Sequence, residues 1–541
     1  MTDDKPTSTL FTGGTIWTGE SDTDAVLVSG GTVRAIGAQA RDETASEPAA
    51  VTVDLEGGLL MPSFGDGHAH PLYGGLESAG PAVRPCRSVD EIVAAVRKYA
   101  HEHPDREWIY GASYDGSLAP GGLFDARWLD AAVADRPVVL RAWDYHTVWC
   151  NTEALNRAGI TADTPDPVLG EIPHREDGSV LGTLREWGAV DLVMNVMPPP
   201  DEDVRVAALG IAADYLLARG VTWAQDAWVE PGDVATYLTA AGRDELRMRF
   251  NLALYADPRF FDTQVEQFAE SRRQVERIGN PLLTAQTVKF FADGVVENET
   301  GALLQSYCSG IHSHGLRNWE GDSLAEAARR VDDLGLQIHV HAIGDAAVRQ
   351  ALDAIEYVVA RNGRRDRRPV IAHVQLADDA DIGRFAQLGV IPNMQPLWAQ
   401  MDSLMTVLTI PRLGPERSDR QYRMATLAGS GAPLALGSDW PVSSGHPLEG
   451  IAVGVSRQTA DGDPPGGWTP HEKLPIERAL AAYTAGVAYQ AFGEKHWGRI
   501  TPGASADLVW LERDPRSTTP LRIPDIGIRA TYLRGESVFP Y

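Results

Sequence analysis

Two histidines separated by one residue, His68 and His70, follow an apolar segment and are the first candidate metal ligands in the sequence. On an extended chain both side chains point to the same side, so two imidazoles could hold one metal ion. Further along the chain, His341, His373 and Asp439 each end another apolar segment that is typical of a strand. They would add two nitrogen ligands and one oxygen ligand, and this set suits zinc or another first-row divalent ion.

Lys289 lies inside the apolar segment 287–293, where a charged ammonium group would repel a bound cation. A buried lysine with a lowered pKa can react with carbon dioxide, and the resulting carbamate can bridge two metal ions about 3.5–4 Å apart. The residues alone do not decide between this carbamate and an unmodified lysine.

Other histidines in the chain have more ordinary explanations. His101 and His103 lie among charged residues after a predicted helix, which is typical of a solvated helix end. His339 and His341 share one strand face, and we choose His341 as the ligand because it lies nearer to the strand end. A lone strand-end histidine such as His373 is usually a hydrogen-bonded core residue, but five candidate ligands at successive strand ends favour a metal site.

The middle of the chain alternates helical patterns with short apolar strands, which is typical of a parallel sheet built from βα repeats. In one repeat, Ser323 begins a predicted helix, Gly335 ends it, and the strand-like segment 336–341 follows. A (β/α)8 barrel brings the carboxyl ends of its strands to one face, where active sites lie. We therefore predict an α/β protein with a TIM-like barrel over residues 61–494, whose mouth collects the candidate ligands.

The strand-like segments number about ten, whereas a barrel needs about eight. The surplus lies within residues 73–200, which hold the segments 108–111 and 138–141, and we predict that this region is an insertion over the barrel mouth. Residues 1–60 and 495–541 both carry short alternating strands, and neither end alone can bury much apolar surface. Together they predict one small, discontinuous β-sandwich domain built from both termini.

Composition excludes several classes of function. The chain has 541 residues, of which 43% are hydrophobic and 23% charged, as in packed globular proteins. Its net charge of −26 disfavours nucleic acid or an anionic membrane as partner. Three scattered cysteines argue against a disulfide framework and against a thiolate metal site. The sequence shows neither an apolar signal core nor a membrane span, so we expect a soluble, cytoplasmic protein.

Several segments together resemble the amidohydrolase superfamily, and more narrowly its YtcJ-like branch, which includes N-substituted formamide deformylases. The resemblance covers nearly the whole chain. It is carried by Gly67-His68-Ala69-His70, Val288-Lys289 with Asp293-Gly294, His341-Ala342-Ile343-Gly344-Asp345, Ala372-His373, Gly437-Ser438-Asp439-Trp440-Pro441 and the closing segment from Gly498 to Val509.

The resemblance implies a role for each candidate ligand. His68 and His70 would bind the more buried metal ion together with Asp439. His341 and His373 would bind a second ion. The implied cofactor is therefore zinc, as two divalent ions in one centre.

The same resemblance implies that Lys289 is carboxylated and bridges the two ions. The chain departs from the family at Ala372, where an acidic residue often precedes the histidine that matches His373. This departure removes one expected partner of that imidazole. A centre with a single ion and an unmodified Lys289 stays open as an alternative.

The implied activity is hydrolysis of a carbon–nitrogen bond, other than a peptide bond, in an N-substituted amide or formamide. Metal-bound hydroxide would attack the carbonyl group, and Asp439 would accept a proton and pass it to the departing nitrogen. The alternatives are a deaminase, a cyclic-amide hydrolase or an ester or lactone hydrolase of the same superfamily. A further alternative is a non-catalytic regulatory or binding protein on the same scaffold.

We expect a small apolar or aromatic substrate, because the insertion and the strand ends are rich in aromatic residues that could line a pocket. His146 and Glu186 lie in segments that resemble recurrent family segments and are candidates for substrate contact, as are Trp398 and Gln395. A homodimer is possible at the level of the family. The aromatic residues are Tyr114, Trp143, Trp149, Trp187, Trp228, Trp398 and Trp440.

Overall fold

The computed structural model of the chain describes residues 8–47, 49–308 and 313–540. Its centre is a sheet of eight strands that pair in chain order, and every pair is parallel. We number these barrel strands from first to eighth. They are Phe64–Ala69, Val221–Val229, Arg249–Tyr255, Leu283–Phe291, Gln337–Ala342, Val370–His373, Ile391–Met394 and Ala435–Leu436.

The first and eighth barrel strands come together just beyond the end of the eighth strand. The backbone N–H of Asp439 donates to the carbonyl of His68 at 2.7 Å, and that of His70 donates to the carbonyl of Trp440, also at 2.7 Å. These bonds join the two edges of the sheet, so the strands surround one interior. The predicted (β/α)8 barrel is confirmed.

Helices cover the barrel, and one of them shows how the sequence pattern works. The predicted helix after Ser323 is observed as Ser323–Asp333, and its apolar side chains at helical spacing, including Leu324, Ala328 and Val331, are buried. Gly335 follows it with a positive φ. In the part of the chain that the structure describes, no helix is long and apolar enough to cross a membrane.

The α-helices in chain order are Gly37–Ala45, Pro71–Glu77, Val89–Glu102, Ala126–Asp130, Thr152–Arg157, Glu186–Met194, Glu202–Leu217, Asp233–Gly242, Phe261–Ile278, Ser323–Asp333, Asp345–Asn362, Asp379–Leu388, Ile410–Leu413, Pro415–Ser418, Met424–Gly429, Pro447–Ser456, Ile476–Tyr483 and Ala485–Gln490.

Strands from both ends of the chain form two further sheets. Phe11 and Val28 of one sheet and Leu60 and Leu508 of the other lie in one buried cluster, so the two sheets pack as a small sandwich. This confirms a small unit built from both termini, while its bounds stay a prediction. The six-stranded sheet contains Asp22–Thr23, Thr15–Trp17, Leu59–Pro62, Leu508–Leu511, Ile528–Leu533 and Glu536–Phe539, and the four-stranded sheet contains Thr32–Ile36, Val26–Ser29, Ser8–Thr12 and Val51–Asp54.

Between the first two barrel strands, the chain forms a separate four-stranded sheet, Ile109–Tyr114, Val138–Ala142, Thr147–Cys150 and Thr183–Arg185. The surplus segment 138–141 and residues 109–111 of the other surplus segment fall in this sheet. It has buried clusters of its own, and residues 143–146 line a cavity at the barrel mouth. An insertion over the mouth is therefore confirmed.

Candidate metal centre and substrate cavity

A cavity of about 280 Å³ opens at the carboxyl ends of the barrel strands. Its lining includes all six residues that the sequence predicts as metal ligands. They are His68, His70, Lys289, His341, His373 and Asp439. The prediction that these residues share one site thus agrees with their positions, whereas their role as ligands stays a prediction.

The tightest group in this cavity consists of His68, His70 and Asp439. Each offers one ligand atom, and the three atoms lie within 4.8 Å of one another. Oδ1 of Asp439 is 2.9 Å from Nε2 of His70 and 3.3 Å from Nε2 of His68. All three side chains are buried.

Contacts with the barrel backbone fix the positions of His68 and Asp439. The carboxylate of Asp66 accepts the backbone N–H groups of Ser438 (2.9 Å) and His68 (3.2 Å), and so ties the eighth strand to the first. Gly437 permits this close approach, because a Cβ atom there would lie 2.6 Å from the backbone nitrogen of His68. The position of Asp439 beside His68 therefore follows from contacts of the scaffold.

Five residues in or beside the cavity wall have a positive φ, which is uncommon outside glycine. They are Tyr145 (+60°), Glu186 (+59°), His373 (+73°), Tyr422 (+51°) and Asp439 (+57°). Such conformations cost roughly 1–3 kcal/mol each and gather at functional sites. The rest of the fold therefore stabilises these residues in a backbone conformation that is locally unfavourable.

His341 and His373 form the other side of the centre, with ring centroids 4.6 Å apart. Nε2 of His341 donates to the carbonyl of Gly294 at 3.0 Å, and Nδ1 of His373 donates to Oε1 of Gln395 at 2.8 Å. A neutral imidazole that donates from one nitrogen keeps a lone pair on the other. Nδ1 of His341 and Nε2 of His373 are thus the atoms available to a metal ion.

Lys289 lies fully buried between the two groups of histidines, with 0% of its surface exposed. Its Nζ is 3.3 Å from Nε2 of His68 and 4.4 Å from the centre of the Phe291 ring. Burial lowers the pKa of Lys289 from 10.5 to about 7. A large fraction of the amine is therefore uncharged near neutral pH.

The donor set has the charge state that a divalent cation requires. Burial lowers the pKa of His68 and His341 well below 6.5 and that of His373 to about 3, so these imidazoles are neutral. Burial acts to raise the pKa of Asp439, but His70 and its other neighbours lower it overall, so this group is a carboxylate. Neutral imidazoles beside a carboxylate fit a metal ion such as zinc.

Two residues of the site were not among the predicted ligands or substrate-binding residues. Nε2 of His339, the histidine we did not choose, is 2.8 Å from Nδ1 of His68. Asp293 accepts the backbone N–H groups of Ile343 (3.0 Å) and Gly344 (2.8 Å), and so fixes the chain after His341. His339 could have been found from the sequence, because the alternation of side chains along a strand places it on the same face as His341.

The four predicted substrate-binding residues lie at two depths. His146 and Trp398 line the cavity, and Trp398 stacks on His373 with ring centroids 5.2 Å apart. Glu186 and Gln395 lie behind histidines instead, since Oε2 of Glu186 is 2.8 Å from Nδ1 of His146 and Gln395 accepts from His373. Direct substrate contact by any of the four stays a prediction.

Aromatic side chains form part of the cavity wall. Trp143, Trp187, Trp228 and Trp398 line it, and four of its neighbouring rings, those of Trp187, Trp228, Tyr255 and Phe291, pack in one buried cluster. The other three aromatic residues considered from the sequence pack elsewhere: Tyr114 and Trp149 in the core of the insertion, and Trp440 against Tyr215.

A family model described as "Amidohydrolase family" matches residues 51–539 of the chain. Similar proteins include "Protein LONG AFTER FAR-RED 3" of Arabidopsis thaliana, with 30% identity over 98% of this chain and 91% of the other. "Putative amidohydrolase YtcJ" of Bacillus subtilis (strain 168) has 28% identity over 98% of this chain and 99% of its own. "N-substituted formamide deformylase" of Arthrobacter pascens has 27% identity, covering 94% of each chain.

Among solved structures, the fold is similar to an uncharacterized metal-dependent hydrolase from Pyrococcus horikoshii OT3. The TM-score is 0.75 with 23% sequence identity, and the match covers 95% of this chain and 99% of that chain. This likeness agrees with the barrel and the terminal sheets described above.

Proposed function

This chain belongs to the amidohydrolase family, and on that premise we propose that it hydrolyses the carbon–nitrogen bond of an N-substituted amide or formamide with bound divalent metal ions. The observation that carries the proposal is the convergence of His68, His70 and Asp439 at the bottom of a buried cavity. These three residues would hold one ion.

A second ion would be held by His341 and His373, with a carboxylated Lys289 shared between the two ions. Zinc suits this donor set of imidazole and carboxylate groups. When bound, such ions lower the pKa of a water molecule and polarise a carbonyl group.

Asp439 would move the proton in this reaction. Its carboxylate lies at the cavity bottom, where it would take a proton from the attacking water and deliver it to the departing nitrogen. An amine is a poor leaving group until it is protonated, so this second transfer is needed for an amide. Asp439 would thus serve both as a ligand and as a proton carrier.

His146 would orient the carbonyl group of the substrate. Burial acts to lower the pKa of His146, but Glu186 and other acidic neighbours raise it overall. A protonated imidazole that lines the cavity would donate a strong hydrogen bond to an oxygen that gains negative charge during the attack. Glu186 would hold the ring in position for this bond.

The aromatic wall supports an apolar or aromatic group on the nitrogen. Rings of Trp143, Trp187, Trp228 and Trp398 would bury such a group at little polar cost. The similarity to a protein named N-substituted formamide deformylase supports the same substrate class.

A metal-removal assay tests this proposal. The purified full chain is stripped with a chelator, reconstituted with zinc and bicarbonate, and incubated with N-benzylformamide, N-benzylacetamide and the matched ester benzyl formate. We expect release of benzylamine that chelation abolishes and zinc restores. Activity that survives complete metal removal, or cleavage of the ester alone, would contradict the proposal.

A further inference from the structure

Gln375 and Tyr422 are two polar residues of the cavity that no step of the proposed reaction uses. Both line the cavity that holds the candidate metal centre, and only 2% and 3% of their surfaces are exposed. Gln375 stands two residues after His373, which ends the sixth barrel strand. The backbone N–H of Tyr422 donates to the carbonyl of Gln375 at 2.9 Å. The two residues therefore occupy neighbouring positions in the cavity wall.

The side-chain amide of Gln375 has a fixed orientation. Its Nε2 donates to Oε1 of Gln421 at 2.7 Å. Nε2 of Gln421 donates in turn to Sδ of Met405 at 3.4 Å and to the carbonyl of Ser418 at 3.5 Å. Because both of these atoms are acceptors, Gln421 presents its oxygen to Gln375, and Gln375 presents its nitrogen to Gln421. Oε1 of Gln375 is thereby left for another donor.

Neither Oε1 of Gln375 nor the hydroxyl of Tyr422 has a hydrogen-bond partner among the described residues. The chain also contains unpartnered polar atoms that are fully enclosed, such as the hydroxyl of Tyr114, but these two atoms are not among them. Each atom therefore keeps some accessible surface. Since both residues are almost wholly buried and line the cavity, that surface lies in the cavity. One acceptor and one hydroxyl group thus face its open volume.

The fold stabilises Tyr422 in an unfavourable backbone conformation. Its φ is +51°, in the left-handed region that is uncommon for a tyrosine. The guanidinium of the buried Arg457 donates to the carbonyl groups of Tyr422 at 3.1 Å and of Gln421 at 3.2 Å, and so fixes this turn of the chain. Residues in such conformations gather at ligand-binding sites.

The surroundings of the Tyr422 hydroxyl favour a neutral ligand group. Burial raises the pKa of Tyr422 well above its usual value, and the carboxyl groups of Glu297 and Asp402 raise it further. The hydroxyl therefore keeps its proton and can donate a hydrogen bond. Glu297 and Asp402 line the same cavity, so they disfavour a ligand group with a negative charge.

We propose that Gln375 and Tyr422 bind a substituent of the substrate that both donates and accepts hydrogen bonds, such as a primary carboxamide. An N–H of this group would donate to Oε1 of Gln375, and its oxygen would accept from the hydroxyl of Tyr422. The aromatic rings of the same cavity would pack against the rest of the substrate. As a statement about the substrate, this inference rests on the proposed function, whereas the binding site itself does not.

Binding of probes that are not formamides tests the site separately from hydrolysis. The probes are 3- and 4-methylbenzamide, titrated calorimetrically into the zinc-reconstituted full chain. The matched control ligands, 3- and 4-methylacetophenone, carry a methyl group in place of the NH2 group and keep only the acceptor. A site with a buried acceptor discriminates against an analogue that lacks the donor. We expect at least one carboxamide to bind about tenfold more tightly than its ketone.

Two variants separate the roles of the two residues. Tyr422→Phe should weaken both kinds of ligand by about tenfold, because both accept from the hydroxyl. Gln375→Met should abolish the preference for the carboxamide over the ketone. Tyr483→Phe is the control variant, because Tyr483 is equally buried but does not line this cavity, and it should bind like the wild type.

A hydrolysis assay connects the site to the reaction. At least one of N-(3-carbamoylbenzyl)formamide and N-(4-carbamoylbenzyl)formamide should have a kcat/KM about tenfold above that of N-benzylformamide, and Tyr422→Phe should reduce this ratio. Equal affinity for carboxamide and ketone in the wild type, no binding of either carboxamide, or unchanged carboxamide binding in Tyr422→Phe would overturn the inference. If the binding results hold but no formamide is hydrolysed, the proposed function fails and the binding site stands.

Discussion

The candidate metal centre has a first half, His68, His70 and Asp439, and a second half, His341, His373 and Lys289. The two halves differ in how closely their ligand atoms are already positioned for a metal ion. His68, His70 and Asp439 already bring their ligand atoms within 4.8 Å of one another, and backbone bonds between the first and eighth barrel strands fix them there. His341 and His373 are each oriented by one hydrogen bond, and their third expected ligand, Lys289, needs a chemical modification. Under the proposed assignment, the first half would bind a metal ion by itself, whereas binding by the second half would depend on carbon dioxide.

Removing the carboxylate of Asp439 should have the largest effect on hydrolysis and on metal binding. Asp439→Asn keeps the shape of the side chain but loses its charge and its ability to carry a proton. We expect hydrolysis to fall by about 10³-fold or more, with loss of bound metal. Initial rates and metal content per chain would measure both effects.

The matched control is Asp402→Asn, because Asp402 lines the same cavity and accepts the backbone N–H of Met405. It should keep its metal and most of its activity. Equal losses of activity and of metal in the two variants would mean that any change of charge in the cavity is harmful. That result would contradict the role of Asp439 as ligand and proton carrier.

Lys289→Met separates the two halves directly. The variant fills a similar volume but cannot form a carbamate, so we expect one ion per chain to remain and activity to fall by about 100-fold, in line with the loss of one stabilising contact to the transition state. Metal analysis gives the stoichiometry. Two ions retained in this variant would show that the second half does not need the lysine.

Gln395→Leu probes the hydrogen bond that orients His373. Partners of this kind change metal affinity by about 10–100-fold when they are removed. We expect the second ion to bind more weakly and the first to be unaffected. Gln400→Leu is the control, because Gln400 lines the cavity while donating to the carbonyl of Leu397; similar weakening there would contradict the role of Gln395.

A fall in pH from 8 to 6 should reduce binding of the second metal ion before it reduces binding of the first. Carbamate formation requires the uncharged amine, and the pKa of Lys289 is lowered to about 7 by burial. The uncharged fraction in the metal-free chain is therefore high at pH 8 and falls about tenfold by pH 6. Chain that is stripped of metal and reconstituted at pH 6 should take up less of the second ion than at pH 8. Equal uptake of both ions at the two values would contradict the carbamate.

The meeting of the candidate ligands in one cavity could be predicted because it depends on local spacing. His68 and His70 are neighbours on one strand, and the other candidates stand at the ends of apolar segments that a barrel must bring to one face. The insertion could be predicted from the surplus of strands in the same way. Both rest on periodicity along the chain, which the sequence shows directly.

The partners of these residues could not be predicted, because they come from distant parts of the chain. His339 contacts His68 across 271 positions, and Glu186 reaches His146 only through the insertion fold. The hydrogen bond of Gln395 to His373 joins the ends of two different barrel strands.

Metal content per chain tests the proposed centre most directly, measured by plasma mass spectrometry after reconstitution with zinc in the presence and absence of bicarbonate. We expect about one ion per chain when carbon dioxide and bicarbonate are excluded and about two when they are supplied. No bound zinc under either condition would contradict the assignment of His68, His70 and Asp439 as a prepared metal site. Two ions regardless of bicarbonate would contradict the difference between the two halves.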